Sequence, residues 1–199
     1  MAKVIITSSR RPTPTTRRFI KSLLMILPNS IRISRGKLSF NMLALQALDV
    51  GSDKLLVVRN KKGNPGYIDV YIVNEIKPEL KLTKFCTLYI CGYSIPRSVY
   101  KNSVQQFKPK RIVVNINALS NIDNESIVEC LLIGFNVKVC NDLRNGVSIC
   151  SSDTITIDIK RVSKNSRRPF YEIMFKNMEE RVLGPVIRIC NAKIFTKPQ

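Results

Sequence analysis

The segment KVIITSSRRPTPTTRRFIKSLLMILPNSIRI, from Lys3 to Ile33, decides how the chain reads. Val4 to Thr7 is a short run rich in β-branched residues, the composition of a buried strand. Thr15 or Thr16 then offers a hydroxyl to cap a helix. In that helix Phe19, Ile20, Leu23, Leu24 and Leu27 share one face, and Arg17, Arg18, Lys21 and Ser22 share the other. Pro28 and Asn29 stop it, and Ile31 to Ile33 returns as a strand. Strand, polar loop, amphipathic helix and strand make the repeating unit of an α/β fold.

The same order recurs in RIVVNINALSNIDNESIVECLLIGFNVKV, from Arg111 to Val139. Arg111 to Ile116 reads as its strand, and Asn124 to Ile133 as its helix, begun by Asp123 or Asn124. Each unit is followed by a Ser-Asp and a pair of strands: SDKLLVVRNKKGNPGYIDVYIV from Ser52 and SDTITIDIKRVSKNSRRPFYEIMFK from Ser152. Phe40 to Leu48 reads as a further helix, ended by Gly51. Leu55 to Arg59 and Tyr67 to Val73 form a predicted hairpin around Asn60-Lys-Lys-Gly-Asn-Pro-Gly66. Asn74 to Lys84, with Pro78 and several charges, reads as the connector between halves, and Phe85 to Tyr93 as a strand. Pro96 to Lys108 is polar, with room for a short helix, and Val186 to Phe195 is a final strand. The expectation is an α/β protein with mixed sheets flanked by helices. It is one domain over 1–199, built from related halves of approximately 1–80 and 84–199. Duplication is the simplest account of the repeat, and a period of about a hundred residues excludes a solenoid.

Charge narrows the function. The 199 residues carry 33 Lys and Arg against 14 Asp and Glu, a formal net charge of +19. Such a balance favours a polyanionic partner. Its distribution is uneven: Met1 to Leu48 contains no Asp or Glu but nine basic residues, Lys3, Arg10, Arg11, Arg17, Arg18, Lys21, Arg32, Arg35 and Lys37. Solvated surfaces usually intersperse both signs, and this segment keeps the repulsion, which points to something that offsets it. The 44% apolar fraction suits a globular chain. No run approaches the roughly 18 apolar residues of a membrane helix, and the start lacks a signal-peptide pattern. A soluble, cytoplasmic protein without membrane partners is expected.

Catalytic and metal constellations are missing from the sequence. There is no His, which removes the commonest general base and metal ligand. The acids are scattered, so magnesium-dependent cleavage has no cluster to use, and no enzyme activity, cofactor or metal is expected. Six cysteines, Cys86, Cys91, Cys130, Cys140, Cys150 and Cys190, form no CxxC pair. Cys86, Cys140, Cys150 and Cys190 lie in apolar strand-like runs and read as small buried residues. Disulfides would be unexpected in a cytosolic protein outside a hyperthermophile.

Three basic motifs remain. Ser8-Ser-Arg-Arg-Pro-Thr-Pro-Thr-Thr-Arg-Arg-Phe19 lies between a strand end and a helix start, where hydroxyls, free amides and Arg forks can hold phosphate. Pro12 and Pro14 stiffen it. Ser34-Arg-Gly-Lys-Leu38 has the Gly-Lys of a nucleotide loop but places Ile31 where the first Gly belongs and Leu38 where Ser or Thr belongs, so ATP binding is rejected. RNA contact and an ordinary turn fit that motif equally well. The Gly63-Asn-Pro-Gly66 turn contains GxxG, but between strands and not between helices as in a KH domain. It reads as a basic finger, with a second basic turn at Lys160 to Arg168.

Together the first 73 residues resemble a known family. Ile6-Thr-Ser-Ser-Arg10 with Pro12, Arg18-Phe-x-Lys21, Leu27-Pro-Asn29, Arg32-x-x-Arg-Gly36, Gly51-Ser-Asp-Lys-Leu-Leu-Val-Val58 and Gly63-Asn-Pro-Gly66 are similar, in order, to the opening of the Brix domain. The lack of long tails looks like the short archaeal members. Among eukaryotic members the chain is most similar to the one serving small-subunit pre-rRNA processing. The resemblance implies two related α/β halves, similar to the anticodon-binding domain of class II aminoacyl-tRNA synthetases. It also implies a role in ribosome biogenesis through ribosomal RNA, pre-rRNA or other assembly factors. Ile72-Val-Asn-Glu-Ile-Lys-Pro78 stands where eukaryotic members carry a His-Leu-Pro-type segment, which weakens any carry-over of eukaryotic partner contacts. The candidate RNA contacts are Ser8, Ser9, Arg10, Arg11, Arg17, Arg18, Lys21, Arg32, Arg35, Lys37, Lys61 and Lys62. The alternative is a protein-interaction scaffold whose basic surface meets acidic assembly factors.

Overall fold

The computed structural model describes residues 3–76, 79–96, 109–120, 122–140, 153–162 and 170–195. In the first half, β1 (Lys3–Ser8), α1 (Pro14–Ile26), β2 (Ser30–Arg32), α2 (Phe40–Asp49), β3 (Ser52–Lys61), β4 (Asn64–Ile76) and β5 (Glu79–Ser94) follow one another. In the second come β6 (Arg111–Asn115), α3 (Ile116–Leu119), α4 (Glu125–Gly134), β7 (Lys138–Cys140), β8 (Thr154–Val162), β9 (Phe170–Lys176) and β10 (Val186–Ile194).

All ten described strands join one mixed sheet, where mixed sheets in the plural were expected, in the order β2-β1-β3-β4-β5-β10-β9-β8-β6-β7. The outer three strands at each end are parallel, where helices make the crossovers. The central pairs are antiparallel. The seam is β5 against β10, with Tyr93 opposite Ile187 and Cys86 opposite Ile194.

The two faces of the sheet are covered unequally. α1 and α4 lie on the same face. Phe19, Leu23, Ile127, Cys130 and Leu131 pack there against Leu56, Ile68, Val70, Leu88 and Ile173. Contact is close at Gly134, where a Cβ would come within 2.9 Å of the Val70 side chain. α2 packs on the opposite face, where Leu43 and Ala47 meet Ile5, Leu55 and Val57. Alternation along β3 splits its apolar residues between these two cores, as a period of two requires.

Several elements differ from the sequence reading. Asn74 to Lys84 is not a connector. β4 runs to Ile76 and β5 starts at Glu79, with Ile76 opposite Glu79 in a continuing antiparallel ladder. Pro78 and the charges resemble linker chemistry, yet a local hairpin supplies backbone pairing whatever the side chains. The cap of α1 is Thr13, not Thr15 or Thr16, because Pro14 takes the first helical position, where its missing N–H costs nothing. The seven-residue turn 60–66 shrinks to Lys62-Gly63, with φ +50° and +81°, the two-residue form that matches strand twist.

The cysteines also depart from expectation. Cys86 is bonded to Cys130 and Cys91 to Cys190. Cys190 is only partly buried, while Cys140 is buried and free. The first bond ties α4 to the sheet and the second crosses the seam. Strand-like apolar context therefore identified the burial of Cys86 and Cys140 but overstated that of Cys190, and it gave no sign of the pairing, since the partners lie 44 and 99 residues apart. Cys150, all of the polar 96–108 segment but Pro96, and the basic turn 160–168 beyond Val162 lie outside the described residues.

Candidate nucleic-acid interface

The first half brings two of the basic motifs together. The loop after β1 begins where the Ser9 N–H donates to the Val58 carbonyl at 2.9 Å, extending the β1–β3 pairing. Thr13 caps α1, its hydroxyl oxygen accepting from the Thr16 N–H at 3.3 Å. The Thr13 hydroxyl also donates to the Gly63 carbonyl at 2.8 Å, and the Thr15 hydroxyl donates there at 3.2 Å. The Thr16 hydroxyl donates to Asn60 Oδ1 at 2.6 Å, and Asn60 Nδ2 donates to the Arg11 carbonyl at 2.9 Å. The tip of the β3–β4 hairpin is thus fastened to the loop and to the start of α1.

Arg10, Arg11, Arg17, Arg18, Lys61 and Lys62 are all exposed on this joined end. Ser8 and Ser9 are half-buried at its base, and Lys21 is exposed one turn further along α1. Between hairpin and helix opens a cleft of about 740 Å³, lined by Thr15, Arg18, Lys61, Lys62 and the end of β5, with no carboxylate among the described residues of its wall. Among the described residues none of these six cations forms an ion pair, whereas Arg59, Lys110, Arg161, Lys176, Arg181 and Arg188 all do. Unpaired cations at a helix start retain their attraction for an external anion.

The third motif sits beside them. The Ile33 N–H donates to the Ile6 carbonyl at 3.1 Å, and the Thr7 hydroxyl donates to the Ile33 carbonyl at 2.7 Å. Arg32 and Lys37 are exposed on this β2–α2 segment, at the same ends of the parallel strands as the first loop. Arg35 is different: it is 8% exposed, and its guanidinium stacks over the Phe40 ring at 4.4 Å. Burial, together with the charge of Arg10, lowers its pKa from the usual arginine value. Its place is inside, beneath the loop, and not among the surface contacts. Sequence alone had no means to separate Arg35 from Arg32.

Sequence reasoning missed Thr13 and Asn60, whose roles depend on partners up to 50 residues away. It also missed Asp69, a 1%-exposed carboxylate in β4. Asp69 pairs with Arg59, receives a Lys84 contact at 2.9 Å and accepts from the Thr87 hydroxyl at 2.6 Å. Burial alone would raise its pKa, but the hydrogen bonds from Arg59, Thr87 and Lys84 outweigh this and hold it below the usual carboxylate range. The period-two pattern Arg59-x-Lys61 and Tyr67-x-Asp69-x-Tyr71 was the signal available.

No protein-family model matches the chain. Over 188 residues, 94% of the chain and 90% of the relative, it is 24% identical to a probable Brix domain-containing ribosomal biogenesis protein of Sulfurisphaera tokodaii. Over 68 residues it is 44% identical to the protein of that description in Aeropyrum pernix. The chain is a homologue of these archaeal Brix-domain proteins. The Aeropyrum match takes in 34% of the chain and 38% of the relative, so it spans well under two thirds of that Brix protein's length. The fold agrees over a longer stretch. The crystal structure of a probable ribosomal biogenesis protein from Aeropyrum pernix K1 aligns with 96% of this chain and 97% of its own. Its TM-score is 0.72 at 21% identity. The Brix-like chain has no described helix long and apolar enough to cross a membrane. Among its described residues no group of three or more Cys, Asp or Glu is placed to hold a metal.

Proposed function

We propose that this protein binds ribosomal RNA or pre-rRNA during ribosomal subunit assembly, without catalysing a reaction. The observation that carries the reading is the hydrogen-bonded union of the Ser9–Thr16 loop with the Lys62-Gly63 hairpin tip. It presents Arg10, Arg11, Arg17, Arg18, Lys61 and Lys62 as one unpaired cationic end, with Arg32 and Lys37 beside it. The relatives' description as ribosomal biogenesis proteins points the same way. The test is affinity for bare rRNA as a function of salt. Each phosphate contact steepens the logarithmic dependence by about 0.7 for a single strand. Replacing Arg10, Arg11, Arg17 and Arg18 with Ala should weaken binding and flatten that slope. Removing Arg111 and Lys138, exposed beside Pro28 and Asn29 at the other end of α1 from the loop, should change neither. Equal loss per charge at both places would reduce the binding to a diffuse field and overturn the assignment.

A second reading has its own support. α2 exposes Phe40, Met42, Leu45 and Leu48 to between 37% and 48%, so its outer face is apolar. A protein scaffold that meets assembly factors would use such a face, with acidic partners drawn to the basic end. Binding of bare rRNA without proteins separates the two readings. We also read the strand order, which runs parallel–antiparallel–parallel from either edge, as a duplicated unit with halves of approximately 1–80 and 84–199.

A further inference from the structure

The face of the sheet opposite α1 and α4 carries cations and rings side by side. Arg59, Tyr67, Asp69, Thr87 and Tyr89 share it, as their cross-strand pairing requires. Arg188, Glu172, Lys193 and Phe195 extend it across the seam, because their neighbours Ile187, Ile189, Ile173, Ala192 and Ile194 point to the other side. Tyr67 and Tyr89 meet edge to face at 5.5 Å, with Arg59 over Tyr67 at 4.4 Å and Lys61 at 5.9 Å. Lys84 and Lys193 lie over Phe195 at 4.7 and 5.1 Å. Among the described residues α2 is the helix on this face, and its core residues end at Val57, Tyr71, Val73 and Leu82. Tyr67, Tyr89 and Phe195 lie beyond that cluster; Tyr67 and Tyr89 are half-buried, and Phe195 is 45% exposed.

We propose that this face, uncovered among the described residues beyond α2, is a binding surface for unpaired RNA, taking bases on Tyr67, Tyr89 and Phe195 and phosphates on Lys61 and Lys193. The inference rests on the RNA-binding reading above and adds a substrate class to it: single strands with accessible bases. Three arguments select this occupant. The surface is continuous with the cationic hairpin tip through Lys61. Its two carboxylates, Asp69 and Glu172, are already paired with Arg59 and Arg188, leaving the patch positive overall. Rings alternating with cations suit a chain that alternates bases with phosphates, because every base has a stacking face. A duplex cannot use the rings, since its bases are already stacked.

The experiment measures binding of the whole protein to three probes: a single-stranded RNA 12-mer, an abasic strand of equal length, and an RNA duplex. The expected order is single strand tightest, with the abasic strand weaker by about tenfold or more. Tyr89→Leu and Phe195→Leu, which keep bulk but remove the ring, should each weaken the single strand by about tenfold and leave the abasic strand unchanged. Tyr67→Phe, which keeps the ring, should bind as the parent does. An oligonucleotide carrying 2-aminopurine should lose fluorescence on binding the parent and regain it with Tyr89→Leu. Equal affinity for all three probes, with no effect of the ring variants, would overturn this proposal while leaving the loop interface standing. No binding of any probe would overturn the RNA reading itself. Displacement of the single strand by an acidic peptide but not by other RNA would assign the face to a protein partner and overturn the proposal.

Discussion

Asn60 and Arg11, 49 residues apart, are joined by a 2.9 Å hydrogen bond from the Asn60 side-chain amide to the Arg11 carbonyl. That bond holds the basic hairpin against the basic loop. Asn60→Ala removes it together with the Thr16 contact. The expected cost is about 1–2 kcal/mol of stability, from two half-exposed hydrogen bonds. RNA affinity should fall several-fold although no charge is lost. Titration at fixed salt, beside a chemical denaturation curve, checks both.

Arg35 should behave as a scaffold residue. It is buried against Phe40, so Arg35→Ala should cost about 1–2 kcal/mol through lost packing and cation–π contact. Its salt slope for RNA should match the parent's, whereas Arg32→Ala should flatten the slope at little cost in stability. A slope change with Arg35→Ala, at unchanged melting temperature, would return Arg35 to the surface.

Asp69 sets an acid limb. Its pKa is held below the unfolded value of about 4. It therefore contributes stability above that unfolded value and loses it as pH falls through the lower folded value. Asp69→Asn should cost about 1–3 kcal/mol at neutral pH, less than a fully buried pair, because Arg59 and Lys84 keep contact with water. The variant's stability should also fall less steeply below pH 4. Denaturation midpoints measured from pH 7 to pH 2 give both quantities.

The paired cysteines predict a redox-dependent stability. Closing loops of 44 and 99 residues stabilises by about 2–4 kcal/mol each. Reductant should lower the melting temperature, and Cys140 should alkylate in denaturant without it, while the four paired cysteines should not. Full alkylation before reduction would refute both bonds.

The sequence made local order legible and long-range docking invisible. β1 and α1 stood out because burial imposes periods that a single segment displays. The extension of β4 and β5 through 74–84 did not, because backbone pairing has no side-chain signature and Pro78 mimics a linker. The basic loop and hairpin were each recognisable as exposed basic segments. Their union was not, since Thr13 and Asn60 are ordinary turn residues until Gly63 and Arg11 come within reach. That Tyr67 and Tyr89 meet ring to ring was not legible either, because their pairing across β4 and β5 is a property of register.

The β5–β10 seam has a consequence for synthesis. β10 is made about a hundred residues after β5, so a nascent chain carries β5 as an open sheet edge while residues 95–185 are added. Such an edge is a template for pairing with other chains. Cys91 waits on that strand for Cys190, so the covalent clasp too must come last. Chains truncated before Val186 should therefore aggregate, and a β10 peptide supplied in trans should rescue them.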